Sequence, residues 1–408
     1  MRLPRPLRRL LDPHTGLITG VKSALRANDA DRIAKTVSRY RGRLKLPKDT
    51  GDELIRVIVG RLQDVVSHDE ASEALRSMAT ALSPNVVSST TFSALENLSR
   101  TIGCFSASLD FTKKTHVAIE GEKSQVRLVL SAIHRRDLEQ AIAHFRHYWT
   151  WDDDWFDIAH YIWIWSGGIS GVKAFNIEPQ WEALLRDKAV TILGPAETSL
   201  TKRSLKKDSL VARVIMQDVL SWDANKDPLG GRCDLAYASR ETRNWLRETN
   251  AWNQLERFRF TSLRVDEGAD LGSEEAALRR AHDPRKLMLG GSSPNMIPLM
   301  AWDIMRVPGV KLTMGGTTFF ASQEAYTEGN RRFKHTSGRA TDETGSTGEL
   351  FERCPTFARH NVLENLTLLA NWVSEGAVSA DKPMTRVVGL SPEDYMAELD
   401  TLYGIERR

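Results

Sequence analysis

The chain has 408 residues, 41% of them hydrophobic and 27% charged. That is enough apolar material for a packed core and more length than one small domain needs, so a globular protein of two or three domains is predicted. Its three cysteines, Cys104, Cys233 and Cys354, show no Cys-x-x-Cys spacing, which speaks against a disulfide framework or a cysteine zinc site and fits a reducing cytosol. No apolar run reaches the ~18 residues that span a bilayer. The basic N-terminus is broken by Pro4, Pro6, Asp12 and Pro13, and no apolar signal-peptide core follows it.

Charge is unevenly placed. Met1 to Lys48 carries thirteen Lys/Arg against three Asp/Glu, a net +10, which leaves the rest of a +3 chain at −7. Such an arm either attracts an anionic membrane surface, a nucleic acid or an acidic polymer, or is a solvated basic helical face. Leu54, Val57, Ile58, Leu62 and Val65 then recur at helical spacing. Ser67 with Glu70 reads as a capping box that opens a helix through Leu82. A further amphipathic run spans Gln125 to Phe145, faintly like tetratricopeptide helices but with no repeat period. Residues 145–165 are crowded with aromatics, including Phe145, Trp149, Trp155, Tyr161 and Trp165. These form either a surface that stacks on sugar rings or a membrane interface, or a packed seam, and the seam is the preferred reading. Asp152–Asp154 within them matches an Asp-x-Asp metal motif, but no β-branched strand precedes it, and a helix start with acidic residues at the positive dipole end is preferred.

From Lys188 the texture changes, dividing the chain into a helical region over 1–186 and an α/β domain over 187–408. Strands are predicted at Ala189–Leu193, Leu210–Ile215, Asp234–Tyr237, Phe258–Phe260 and Val310–Met314, and helices at Arg240–Asn250, Asn295–Met305 and Val362–Ser374. The alternation predicts an α/β fold with a doubly wound, mostly parallel sheet.

Three segments carry candidate chemistry. The first strand runs into Gly194-Pro195-Ala196, with Glu197 and Ser199 beyond. Small residues at the carboxyl end of such a strand let backbone N–H groups approach a phosphate or ribose. The turn is neither a Gly-x-Gly-x-x-Gly fingerprint nor a P-loop, and a plain strand-to-loop turn fits it too. Lys311–Met314 likewise leads into Gly315-Gly316-Thr317. His360 and Glu364, four apart, share one face at the start of the last long helix; the histidine reads as a general base or phosphate ligand, or as a polar cap.

In this order the segments resemble the sialyltransferase-like, CMP-sugar-dependent glycosyltransferases over about residues 188–380. The Gly194-Pro195 turn, the strand Asp208-Ser-Leu-Val-Ala-Arg213, the helix-to-strand unit Pro294–Phe320 and the His360–Gly376 helix carry the likeness. Thr317 stands where the family has Asp, and Val214-Ile215 where Asn often follows the arginine strand; these departures argue against a standard sialyltransferase and leave room for the bacterial relatives that transfer Kdo in capsule and O-antigen assembly. The resemblance implies a Rossmann-like domain. It would transfer Kdo first, or sialic acid second, from a CMP donor to a glycan or lipid-linked glycan. No metal or other cofactor and no nucleic acid are expected. Gly194, Pro195, Ala196, Ser199, Arg213, Gly315, Gly316, Thr317 and Glu364 would line the donor site. The preferred, retaining reaction would use Glu197 as acid/base or acceptor-positioning group and Asp234 as nucleophile; the inverting alternative uses His360 as base.

The glycine-, serine- and charge-rich stretch Ala321–Glu349 reads as a lid over the donor or as an insert without a role. A cytoplasmic enzyme, peripheral on the inner membrane face through residues 1–48, is expected. The other classes that remain are an inactive glycan-assembly scaffold and, third, a methyltransferase, which would want a Gly-rich first loop and an acidic end to its second strand.

Overall fold

The computed structural model describes residues 68–85, 87–122, 124–150, 153–167, 177–205, 208–215, 230–265, 271–290, 293–322 and 360–403. The basic arm 1–48, the run 54–65, Ser67, Asp152 and the segment beyond Ser322 lie outside the described residues. In chain order the elements begin with α1 (His68–Ala81), α2 (Ser89–Thr101), α3 (Phe105–Glu122), α4 (Gln125–His134), α5 (Leu138–Tyr148), α6 (Asp153–Trp165) and α7 (Pro179–Leu185). There follow β1 (Ala189–Leu193), β2 (Leu210–Ile215), β3 (Leu235–Ala238), α8 (Arg240–Thr249), β4 (Phe260–Leu263), α9 (Ser273–Ala276) and β5 (Arg279–Arg280). The last are α10 (Met296–Met305), β6 (Lys311–Gly315), α11 (Val362–Ser374), β7 (Val378–Ala380), α12 (Lys382–Val388) and α13 (Pro392–Tyr403).

Two compact units result, and they do not divide at residue 186. Among the described residues, 68–128, 360–361 and 391–403 form a helical unit, and 129–322 and 362–390 form an α/β unit. Carboxylates at helix starts explain why the C-terminal helix belongs to the first. Asp400 of α13 accepts hydrogen bonds from the Phe105 and Ser106 amides, at 2.8 and 3.0 Å, at the start of α3. Orphan N–H groups and the positive dipole end make that position favourable for a carboxylate. Glu122 at the end of α3 accepts from Ser89 at the start of α2 in the same manner. Phe92, Leu95, Phe105 and Phe111 fill the core between them.

The α/β unit contains a seven-stranded, all-parallel sheet of order β5-β4-β3-β2-β1-β6-β7. Alternation assigns its faces. Ala236 and Ala238 of β3 pack with Ile215 and with Leu246 of α8. Tyr237, between them, donates to Asp303 of α10 on the opposite face at 2.8 Å. Helices therefore cover both faces. Beside α10, the aromatic-rich segment is core: Trp155, Tyr161 and Trp165 are buried, Tyr161 packs on Trp372 with ring centroids 4.9 Å apart, and Trp302 stacks on Trp372. These rings are core within the α/β unit rather than a seam between the helical part and the next domain, and no sugar-stacking role is left for the three of them.

The run Gln125–Phe145 is two helices rather than one. Arg136 takes a positive φ of 61°, and Asp137 caps α5 by accepting from the Gln140 amide. Among the described residues no helix is long and apolar enough to cross a membrane.

His134, at the end of α4, is buried and bonds the Leu287 carbonyl at 2.8 Å through Nε2. Since a carbonyl only accepts, the ring is the neutral Nε2–H tautomer. Burial pulls its pKa from 6.5 to about 4. The unfolded chain therefore takes up the proton first, so this contribution to stability is whole above pH 6.5 and is lost as pH falls toward 4. Urea unfolding is expected to show a loss of up to about 3 kcal/mol over that window, at 1.36 kcal/mol per pKa unit. His134→Gln should flatten that part of the pH profile; an unchanged slope would count against the assignment.

Candidate functional site

In a parallel sheet all strands end on one edge, and ligands settle there where the strand order reverses. Here the order reverses between β1 and β6. Gly194-Pro195-Ala196 follows one strand and Gly315-Gly316-Thr317 closes the other, so the topology brings the two glycine segments together. They touch directly. The Gly194 amide donates to Gly315 O at 2.9 Å and the Ala196 amide to Gly316 O at 2.8 Å. A Cβ on residue 194 would overlap the Gly316 carbonyl, and Gly316 itself has a φ of +68°. These two glycines are thus required by mutual backbone approach and chain direction.

Asp381, which follows β7 and is 5% exposed, ties the lips to the rest of the sheet. Its Oδ2 accepts from Thr198 Oγ1 at 2.6 Å, from the Ser199 amide at 3.2 Å and from the Gly316 amide at 3.3 Å. Its Oδ1 caps α12 at the Met384 amide, 3.0 Å away, while Ser199 Oγ accepts from the Lys382 amide at 3.1 Å. The amides of Gly194, Ala196, Ser199 and Gly316 that the sequence offered to a phosphate are therefore bonded to protein instead. Thr317 is buried beside Gly194, and Glu197 stands exposed on the lip.

The remaining sequence candidates are dispersed. Asp234 begins the approach to β3 at the opposite, amino-terminal edge, where it accepts from the Val211 amide at 2.8 Å and Arg232 Nε at 3.0 Å. It does not reach the edge where a nucleophile is needed, because it precedes its strand rather than following it. Arg213 is buried and its Nε donates to Arg232 O at 2.8 Å, which turns it toward the same amino edge. His360 and Glu364 do not share a helical face, since α11 begins only at Val362. His360 belongs to the helical unit, where its carbonyl accepts from Arg100; Glu364 lies buried in the first turn of α11 in the α/β unit.

The carboxyl edge holds groups that sequence reasoning missed. His282, just past β5, pairs through Nε2 with Asp157 Oδ1 of α6 at 2.7 Å. Asp157 is buried, whereas the imidazole is 38% exposed. In the neutral ring, with Nε2–H donated to Asp157, the lone pair would lie on Nδ1. Trp302 packs against both this ring and that of His160. Arg264, past β4, donates to Pro294 O at 3.0 Å and lies 3.6 Å from Asp283, which also accepts from Ser293 and Arg285. The first turns of α10 and α11 meet where Asn365 Oδ1 accepts the Asn295 amide at 2.6 Å. The signal available in the sequence was the polar run Arg279–Asp283 ahead of a turn, but a strand of two arginines has no hydrophobic pattern to announce it.

A separate groove of about 850 Å³ opens at the amino ends of β4 and β5, walled by Trp181, Trp252, Phe258, Phe260 and Arg259. Beneath it Arg279 forks onto the fully buried Asp303, at 2.6 and 2.7 Å, and lies 3.9 Å over the Trp181 ring. Among the described residues no cluster of three or more His, Cys, Asp or Glu side chains is placed to hold a metal ion.

Asp381→Ala leaves four donors without their acceptor, at about 1.5–3 kcal/mol for each bond to a charged group before relaxation. A loss of at least about 3 kcal/mol is expected, with faster hydrogen exchange at the amides of Gly194, Ala196 and Gly316. Unchanged exchange at those amides would show that Asp381 does not hold the lips. No family model, curated protein or solved structure matches this chain, so the reading of the crevice stands on its own residues.

Proposed function

We propose that the α/β unit is a Rossmann-like, doubly wound glycosyltransferase domain that moves an acidic sugar of the Kdo or sialic acid type from a CMP donor to a glycan hydroxyl. The observation that supports it most is the reversal of strand order at β1 and β6 with small-residue loops on both sides. That placement suits a nucleotide lying across the carboxyl edge. CMP is a monophosphate leaving group, so hydrogen-bond donors and guanidinium groups at that edge suffice to stabilise its charge without a metal.

The inverting form of the reaction is preferred to the retaining form. Retention by double displacement needs a carboxylate that attacks the anomeric carbon, and Asp234 is committed to Val211 and Arg232 at the other edge. Inversion needs only a base for the acceptor. Asp157 fixes the His282 ring and its tautomer, leaving Nδ1 to take the proton. The acceptor oxygen then bonds to the anomeric carbon as the bond from that carbon to phosphate breaks, and the electron pair leaves on CMP. Glu197, exposed on the lip, is left to position the acceptor. The basic arm 1–48 would hold the enzyme at an anionic membrane surface near lipid-linked acceptors.

Thermal-shift titration tests the donor class. CMP at a hundred times its Kd should stabilise the protein by about 2.7 kcal/mol, and UDP or GDP should not; the reverse pattern would overturn the proposal. His282→Gln is expected to slow transfer about 10²- to 10⁴-fold while leaving the CMP-induced shift in place, and NMR of the product should show an inverted linkage. A retained linkage would return the chemistry to a two-carboxylate mechanism.

A further inference from the structure

Arg243 sits in the second turn of α8 and is 6% exposed. Its Nε and Nη1 are buried with no hydrogen-bond partner, and Nη2 makes a single long contact, 3.4 Å, to the neutral Asn244 Oδ1. Among the described residues no carboxylate pairs with it. A buried lysine in that position could shed its proton, but a guanidinium does not, so the charge stays. An uncompensated buried charge is strongly unfavourable. Among the described residues, the other strongly buried arginines around the sheet each have a partner: Arg279 in Asp303, Arg306 in Glu178 and Asp303, Arg213 in the Arg232 carbonyl.

The position of Arg243 indicates what would answer it. Leu246, three residues on, packs against Ile215, Ala236 and Ala238, so that helix face lies on the sheet. Thr242 Oγ1 donates to the carbonyl of Ile215, the last residue of β2, at 3.0 Å. The first two turns of α8 therefore rest on the carboxyl ends of β2 and β3. Helical side chains lean toward the N-terminus, which directs the guanidinium to the positive end of α8 and to the carboxyl edge. Arg240 lies one turn further toward that end.

We infer that Arg243 and the N-terminus of α8 form an oxyanion subsite that takes a phosphate or carboxylate group of a bound ligand. The planar fork matches either group bidentately, and the helix start adds positive potential. The subsite does not depend on the transferase reading. If that reading holds, it lies beside the β1–β6 crevice, since β2 neighbours β1, and the anion is the CMP phosphate or the sugar carboxylate.

The test uses the full chain with inorganic phosphate, CMP and free sialic acid, each against chloride at matched ionic strength. Phosphate is expected to raise the melting temperature of the native protein and to slow hydrogen exchange over Arg240–Arg243. Arg243→Met, similar in volume and uncharged, should abolish the phosphate shift and melt at or above the wild-type temperature without ligand, because it removes an uncompensated charge. A phosphate shift that survives in Arg243→Met overturns the inference, as does a wild-type protein with no exchange protection at α8, whether or not the variant folds. Phosphate and CMP acting through Arg243 identify the phosphate as occupant, and sialic acid acting alone identifies the carboxylate. Phosphate binding without any response to CMP keeps the subsite and removes the CMP-transferase reading.

Discussion

Asp381 gives both carboxylate oxygens to backbone and side-chain donors from three separate connections. Oδ2 gathers the loop after β1 and the loop after β6, and Oδ1 starts the helix after β7. Each of those connections leaves the carboxyl edge, where a parallel sheet has no hairpins to fix loop positions. One buried acceptor thus substitutes for the turn chemistry that antiparallel sheets use. It succeeds because Gly194 and Gly316 lack side chains; their backbones meet at hydrogen-bond distance, which brings the Gly316 amide within 3.3 Å of the carboxylate. The crevice geometry is therefore set by an interaction that no ligand has to supply.

The two edges of the sheet are treated differently. On the amino side, charge is closed off: Arg232 binds Asp234 and the Ser209 carbonyl, and Arg279 forks onto Asp303 with Tyr237 completing that carboxylate's partners. Burial and the Asp303 charge hold the Tyr237 hydroxyl well above its ordinary pKa, so it remains a donor at any physiological pH. A network paired in this way specifies packing. On the carboxyl side, by contrast, the exposed His282 ring and the unanswered Arg243 guanidinium remain. Under the proposed function, this asymmetry favours the carboxyl edge over the groove at the amino ends of β4 and β5.

Much of this architecture is legible in the sequence, and the failures have identifiable causes. β1 and β2 and the helix Val362–Ser374 coincide with their apolar runs because both faces of each are buried. β4 is displaced from Phe258–Phe260 to Phe260–Leu263, since a six-residue 3₁₀ turn, Trp252–Arg257, precedes it and Phe258 serves as its C-cap. β5 and β7 are two and three residues long at the sheet edges, too short for any periodicity. The boundary near 186 marks a real change of texture, but α5 and α6 pack within the α/β unit and α13 within the helical one. Site legibility follows the same rule. Glycines at strand ends are visible in one dimension. The Asp157–His282 pair joins residues 125 positions apart and is not.

The lip after β6 carries one further constraint. Phe319 and Phe320 both take positive φ, 46° and 67°, which costs a β-carbon-bearing residue roughly 1–2 kcal/mol each. Such a turn persists only where its surroundings over-determine it. Here Thr318 and Ser322 join through their hydroxyls at 2.9 Å, and Arg386 donates to the Ala321 carbonyl at 2.6 Å. Arg386 lies on α12, whose first turn Asp381 caps. The strain at the lip is therefore borne by the same carboxylate that closes the crevice floor. With the lip amides of Gly194, Ala196, Ser199 and Gly316 already bonded, an anionic ligand at this edge gains most from side chains. Under the inferred subsite, Arg243 over the carboxyl ends of β2 and β3 would supply that contact, rather than the glycine loops that first draw attention in the sequence.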